Sequence, residues 1–414
     1  VHHTAVFIGD AAATRQQDLT MDANTPLPHL GGLTATEFLR DYWQKKPLLV
    51  RNAFPELAYR LNDEDLKELA QEESVEARIV LEQGKTPWEL RRGPFAPKDF
   101  KALPKTHWTL LVQAVDHYLP ALSDYLDHFA FLPNWRIDDI MISYAVEGGS
   151  VGPHYDQYDV FLIQGFGNRR WQLGQHCDEQ SPRVAGTPLR ILQQIDAHFD
   201  EIVNPGDLLY VPPGMAHCGV AQNECTTYSV GFRAPALTHL LERIVDAALE
   251  AAGSSRLFAD PAREPVAHPA ALSEADLESL RAQVLTLLDD RATLRHAIAP
   301  FLSEPKYDDY EPQGEELSLE EIREALAAGA TLRRDPASRC LYSLQDDQPA
   351  ELFINGQKEW FPPTLAAFVK LLADRRRLTA DELAPWLSDQ DALHWLADQM
   401  ASGFWFLEAD EEDA

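Results

Sequence analysis

The sequence predicts an α+β chain whose centre is a β-barrel or sandwich flanked by helices. From Ile137 to Arg233 the chain breaks into short apolar runs separated by Gly and Pro, the texture of antiparallel strands and not of βαβ units. Helical spacing dominates on both sides of that stretch. At 414 residues one compact domain is not expected, and two or three units are the prior.

Residues 1–20 differ in texture from the rest of the chain. Met21 is a candidate natural start, and residues 1–30 are set aside as an N-terminal extension. Between Leu33 and Glu73 the pattern is helical: Thr36, Phe38 and Leu39 open one segment through Tyr42-Trp43, and Leu61 to Leu69 gives another. Pro47-Leu48-Leu49-Val50 between them reads as a short strand. Residues 106–126 are expected to be helical, with Leu110, Leu111, Val115, Leu119 and Leu122 at helical spacing. Strands are then expected near residues 140–146, 159–164, 170–173, 208–211 and 227–232.

After Pro235 the spacing of Leu237, Leu241, Ile244, Val245 and Leu249 predicts a helix. Ser273 caps a second, carrying Leu277, Leu280, Val284, Leu287 and Leu288. Phe258 to Pro269 between them reads as a connection. Two amphipathic helices with little around them must bury against the barrel or against a second subunit; symmetric pairing is the common solution, and a homodimer is expected. An acidic, Pro-containing linker over 303–314 opens the last region. Ser318 and Glu321 form a capping box for a helix through Leu326. Strands near 331–333, 340–344 and 351–354, the last turning through Asn355-Gly356, precede helices near 365–372, 380–387 and 389–400 and a final strand near 404–407. A small αβ unit in this order resembles a winged helix.

Charge narrows the partners. The chain carries 66 acidic against 36 basic side chains, a net charge of −30. Phosphate backbones and anionic membranes would be repelled over most of that surface; the excess acid favours a basic protein or peptide partner or serves only solubility. Residues 304–414 alone hold 25 acidic and 10 basic residues, which speaks against DNA binding by the winged-helix-like unit. Cys177, Cys218, Cys225 and Cys340 show no CxxC spacing, so reduced thiols and a cytoplasmic location are expected. No apolar run reaches membrane-span length, and residues 5–9 lack the basic flank of a secretory signal.

The chemistry concentrates in Gly152-Pro153-His154-Tyr155-Asp156-Gln157-Tyr158-Asp159. His154 and Asp156 are two apart, so on extended backbone they share a face. His217 follows 63 residues after His154, and a Gly/Pro-bounded strand, Leu208 to Val211, leads into it. Two imidazoles and one carboxylate on one face of a metal are the ligand set of non-haem iron oxygenases. Arg169 stands 15 residues after His154, and a guanidinium inside a barrel needs an anion to meet it. Arg169 and Arg170 have opposite strand parity, so only one should point inward.

These motifs carry a family resemblance. Asp138-Asp139-Ile140-Met141-Ile142-Ser143, the run from Val151 to Phe161, and Tyr228-Ser229-Val230-Gly231-Phe232-Arg233 resemble the bacterial ribosomal oxygenases. Tyr42 to Pro47 and Trp108 to Val115 extend the likeness. The family are JmjC-domain protein hydroxylases that depend on Fe(II), 2-oxoglutarate and O2, and the nearest branch hydroxylates an arginine of large-subunit ribosomal protein sixteen. The resemblance implies a JmjC (cupin-like) double-stranded β-helix over 31–236, a helical dimerisation region over 237–303 and a winged-helix domain over 304–414. It implies that His154, Asp156 and His217 are catalytic and hold iron, that Arg169 pairs with the far carboxylate of 2-oxoglutarate, and that the partner is a basic large-subunit ribosomal protein. Ser143 and Ser229 are either pocket-lining hydroxyls or ordinary strand serines. Ala145 and Glu147 depart from the family pattern and bear on the substrate groove. Two other readings stay open: a JmjC histidyl hydroxylase or demethylase of another basic protein, and a non-enzymatic metal-binding cupin scaffold.

Overall fold

A computed structural model describes residues 23–57, 61–253, 256–345 and 348–409. Residues 1–20 and Met21, set apart in the sequence, lie outside the described residues. The chain divides into two compact units, Val1–Ala234 and Pro235–Ala414.

Among the described residues the first unit is built on eleven strands: β1 (Leu48–Val50), β2 (Ala77–Gln83), β3 (Pro87–Arg92), β4 (Trp108–Val112), β5 (Ile137–Ala145), β6 (Val160–Gln164), β7 (Arg169–His176), β8 (Phe199–Val203), β9 (Leu208–Val211), β10 (Met215–Ala221) and β11 (Cys225–Phe232). Eight of them form one antiparallel sheet in the order β1-β9-β6-β11-β5-β4-β2-β3. The remaining three form a second sheet, β10-β7-β8. Val160, Leu162, Leu209 and Val211 from the first sheet pack with Trp171, Leu173 and Val203 from the second, so the two sheets face each other across an apolar interior. This is the double-stranded β-helix layout. The outer face of the large sheet presents Ile140, Ile142, Phe161, Ile163, Tyr210, Tyr228 and Val230 to a larger core. That core takes in Phe38 of the helix Ala35–Asp41, Leu66 of the helix Asp63–Leu69, and also Leu27 and Leu30. Folded chain therefore begins before residue 31.

Residues 106–126 correct the sequence expectation. Leu110 and Leu111 lie on β4, and only Val115–Tyr118 and Pro120–Ser123 are α-helical, in single turns. All five residues of β4 are buried, so the strand shows no alternation of buried and exposed positions.

In the second unit, Leu237–Ala252, Glu274–Leu288 and Arg291–Ser303 are helices. Ser273 closes a capping box with Asp276. The third helix packs on the sheet formed by Cys340–Gln345, Gln348–Ile354 and Gln357–Glu359, and Arg295 and His296 both reach Glu351 there. A further capping box at Ser318 and Glu321 opens the helix Leu319–Ala327. Ile322, Leu326, Leu352, Phe368, Leu372, Leu393, Leu396 and Trp405 form this unit's core. No described helix is long and apolar enough to cross a membrane.

Candidate metal centre

The metal-ligand candidates sit where the two sheets meet. His154 and His217 exchange two backbone hydrogen bonds, 3.0 and 2.8 Å, as an isolated antiparallel bridge. The segment carrying His154 and Asp156 is thereby laid beside β10, which carries His217. Gly214 fixes the other end: its N–H donates to the Asp156 carbonyl at 2.7 Å. Gly214 has φ +75°, and a Cβ there would fall 1.9 Å from the His176 ring, so both conformation and space require glycine.

Among the described residues these three are the group whose ligand atoms converge, all within 4.8 Å of one another. Asp156 Oδ2 lies 3.5 Å from His217 Nε2 and 4.0 Å from His154 Nε2. Each histidine's Nδ1 is held by a backbone carbonyl, Gly152 O at 2.9 Å for His154 and Met215 O at 3.0 Å for His217. Those carbonyls select the tautomer with the proton on Nδ1 and a lone pair on Nε2, the arrangement a metal-ligating imidazole needs. His217 is 3% exposed, and its pKa is held down at about 4, first by burial and then by His154 beside it. It is therefore neutral at physiological pH. Both other side chains are partly exposed, which leaves one side of the cluster open.

Arg169 and Arg170 separate as strand parity requires. Arg170 points out and pairs with Asp200, whereas Arg169 is 5% exposed and faces the interior. Arg169 Nη1 donates to Ser143 Oγ at 3.2 Å, and its Nε and Nη2 have no hydrogen-bond partner among the described residues. A buried guanidinium with two unmet donors fits the carboxylate of a small anion. Ser143 is thus brought to Arg169. Ser229 lies on β11 opposite Met141 and Leu162, buried, with no contact to Arg169 shown.

Trp171, two residues after Arg169, is assigned no role from the sequence, although its parity gives the signal. It shares the interior face, with its ring centroid 5.9 Å from the Arg169 guanidinium carbon and 6.0 Å from the His217 ring. Gly219 makes room for it, since a Cβ there would meet the indole at 2.8 Å. A second unforeseen group braces the chain just past the metal loop. Asp159, fully buried, accepts from Tyr210 Oη at 2.6 Å, Gln44 Nε2 at 2.9 Å and Arg136 Nη2 at 3.3 Å. Burial pushes its carboxyl upward, and the Gln44 and Tyr210 bonds oppose that.

Comparison with known proteins decides the family. Residues 124–240 match the JmjC domain, and residues 286–406 match the ROXA-like winged helix. The ribosomal protein uL16 3-hydroxylase of Escherichia coli is 37% identical over 382 residues, covering 90% of this chain and 97% of that protein. The chain belongs to the ribosomal oxygenases. A probable ribosomal oxygenase of Haemophilus influenzae is 37% identical, with 88% of each chain covered. The structure of YcfD, a ribosomal oxygenase from Escherichia coli in complex with cobalt and 2-oxoglutarate, superposes with a TM-score of 0.76 at 35% identity, over 91% of this chain and 99% of that one. As a ribosomal oxygenase, this chain is a 2-oxoglutarate-dependent dioxygenase that uses iron and O2. The winged-helix match begins at residue 286, so it includes the helix Arg291–Ser303 that the sequence assigned to the preceding region.

Proposed function

We propose that this chain hydroxylates an arginine side chain of ribosomal protein uL16. The observation that carries the substrate is the end-to-end similarity to a uL16 3-hydroxylase, 37% identical over 97% of that protein. In this reading His154, Asp156 and His217 would hold the iron, and a set of only two imidazoles and one carboxylate would leave room for cosubstrate and O2. Bound iron supplies the oxidative chemistry that couples 2-oxoglutarate decarboxylation to hydroxylation of a C–H bond.

The chain's own residues do the rest. Arg169 receives the far carboxylate of 2-oxoglutarate through donors that the protein leaves unmet, and Ser143 holds the guanidinium in place. Ser229 lines the same barrel interior. Trp171 and its apolar neighbours keep water from that end of the pocket. The catalytic domain spans residues 31–236 with Leu27 and Leu30 packed into its core, the helical region 237–303, and the winged-helix domain 304–414 with the helix Arg291–Ser303 packed on its sheet.

The helical region pairs two copies of the chain. Leu237 is 80% exposed, Leu249 66% and Val284 53%, an apolar surface that a second copy would cover. The winged-helix domain, strongly acidic, serves protein contact and not nucleic acid. Excess acid over the whole chain draws in a basic ribosomal protein. Succinate release from 2-oxoglutarate, measured with and without a uL16 peptide, tests the reading. Release that rises with the peptide and disappears in His154→Ala is expected, and peptide-independent release that survives His154→Ala would overturn it.

A further inference from the structure

The outer side of the metal loop rests on the connection between β7 and β8, residues 177–198. Leu192 N–H donates to the carbonyl of Pro153, the residue before His154, at 2.7 Å. Cys177 N–H donates to the carbonyl of Gly214, whose own N–H holds Asp156. Ile191 stands over Gly152, where a Cβ would meet its Cδ1 at 2.7 Å. The connection therefore touches the loop at 152 and 153 and, through Gly214, at 156.

Tyr155 lies between the two ligands, so its side chain leaves the opposite face of the strand. It packs against Cys177, Leu192 and Ala216. Its hydroxyl accepts from Arg183 Nη2 at 3.0 Å, and the guanidinium carbon lies 5.9 Å from the ring centroid. Arg183 Nε is buried and has no partner among the described residues. A bridge between Arg183 and Leu192 and a 2.8 Å bond from Val184 N–H to Ile191 O close the connection on itself. Arg183 is thus fixed to the same turn that holds Pro153.

We propose that Tyr155 is a positioning residue for the metal centre, and that Arg183, by fixing the Tyr155 hydroxyl, makes metal affinity depend on the 177–198 connection. The proposal rests on His154, Asp156 and His217 being the metal ligands. The physical reason is preorganisation. Tyr155 shares its backbone with both loop ligands, so a ring pinned at its hydroxyl restricts the rotation that would separate His154 from Asp156. Freed of Arg183, the ring keeps its packing but loses its fixed azimuth, and the ligand pair must be ordered when metal binds.

Cobalt(II) titration of the full chain, followed by visible absorption without 2-oxoglutarate or substrate, tests this. Hydrogen-bond partners of metal ligands change metal affinity by about 10–100-fold, and a contact one residue removed from the ligands belongs at the low end. Tyr155→Phe and Arg183→Met are each expected to weaken the dissociation constant about tenfold. The double variant should be no worse than about twofold beyond either single, because both changes remove one interaction. Metal-free melting should stay at the parent value. The proposal is overturned if either single variant keeps the parent affinity, if the two losses multiply, or if metal-free melting falls while the dissociation constant does not move. A parent chain that binds no cobalt, or a His154→Ala variant that binds as the parent does, would refute the ligand assignment instead.

Discussion

Replacing Arg169 with methionine should have opposite effects on cosubstrate binding and on the fold. With 2-oxoglutarate bound, the variant leaves a buried carboxylate without its counter-charge. Breaking a buried ion pair by removing one partner costs about 3–5 kcal/mol. At about 1.4 kcal/mol per decade, 2-oxoglutarate affinity should fall by roughly two to three and a half orders of magnitude. Without cosubstrate the sign reverses. Arg169 is 5% exposed, makes one 3.2 Å bond to Ser143, and leaves Nε and Nη2 unmet. Unmet buried donors cost about 1–3 kcal/mol each, so an apolar side chain of similar length should leave stability unchanged or raise it. Melting curves with and without 2-oxoglutarate, in the presence of manganese(II), read both effects in one experiment. The expected result is an unchanged or higher melting temperature without cosubstrate and no upward shift when it is added. A loss of affinity smaller than tenfold, or a destabilised cosubstrate-free protein, would refute the assignment of Arg169 as an anion receptor.

Neighbouring residues give three further outcomes. Asp159→Ala removes the shared acceptor of the buried Tyr210 hydroxyl, the partly exposed Arg136 and the exposed Gln44, so the first unit should lose about 1–3 kcal/mol, read as a lower midpoint in urea unfolding. An unchanged midpoint would count against that network. His29 is buried beside His128, Phe54 and Phe129, and burial first, then His128, holds its pKa down at about 3 against 6.5 unfolded. The unfolded chain takes its proton first, so stability is full above pH 6.5 and drains as pH falls towards 3; His29→Phe should flatten that slope in denaturation between those limits. Gly219→Ala places a methyl 2.8 Å from the Trp171 ring, an overpacking worth about 1–3 kcal/mol, and should lower the melting temperature together with 2-oxoglutarate affinity.

Much of the barrel is legible in the sequence because its strands are short, apolar and bounded by Gly or Pro; β9 coincides with the expected Leu208–Val211. β8 escapes that reading. Its middle residues, Asp200, Glu201 and Ile202, are all exposed, so no alternation marks it. β4 escapes for the opposite reason, since burial on both faces removes the period of two, and Leu110 and Leu111 then fit a helical spacing with Val115 by coincidence. The helix Arg291–Ser303 contains Pro300, which in sequence reads as a terminator.

At the centre, the spacing of His154 and Asp156 signals a shared face, and the opposite parity of Arg169 and Arg170 signals that one turns inward. Which one turns inward depends on the register of β7 against β10, where Arg169 faces Ala221 and Leu173 faces His217. Sequence spacing cannot supply that pairing. The Tyr155–Arg183 and Asp159–Gln44 contacts join residues 28 and 115 positions apart, and no local pattern announces them.

Fragment mass spectrometry reads arginine hydroxylation of uL16 at the residue itself. Ribosomal protein uL16 would be incubated with the full chain, Fe(II) and O2, with and without 2-oxoglutarate. One added oxygen on an arginine side chain is expected, formed only with 2-oxoglutarate and lost in His154→Ala and Asp156→Ala. An added oxygen on a histidine, loss of a methyl group, or an unmodified uL16 under conditions where 2-oxoglutarate is consumed would contradict it.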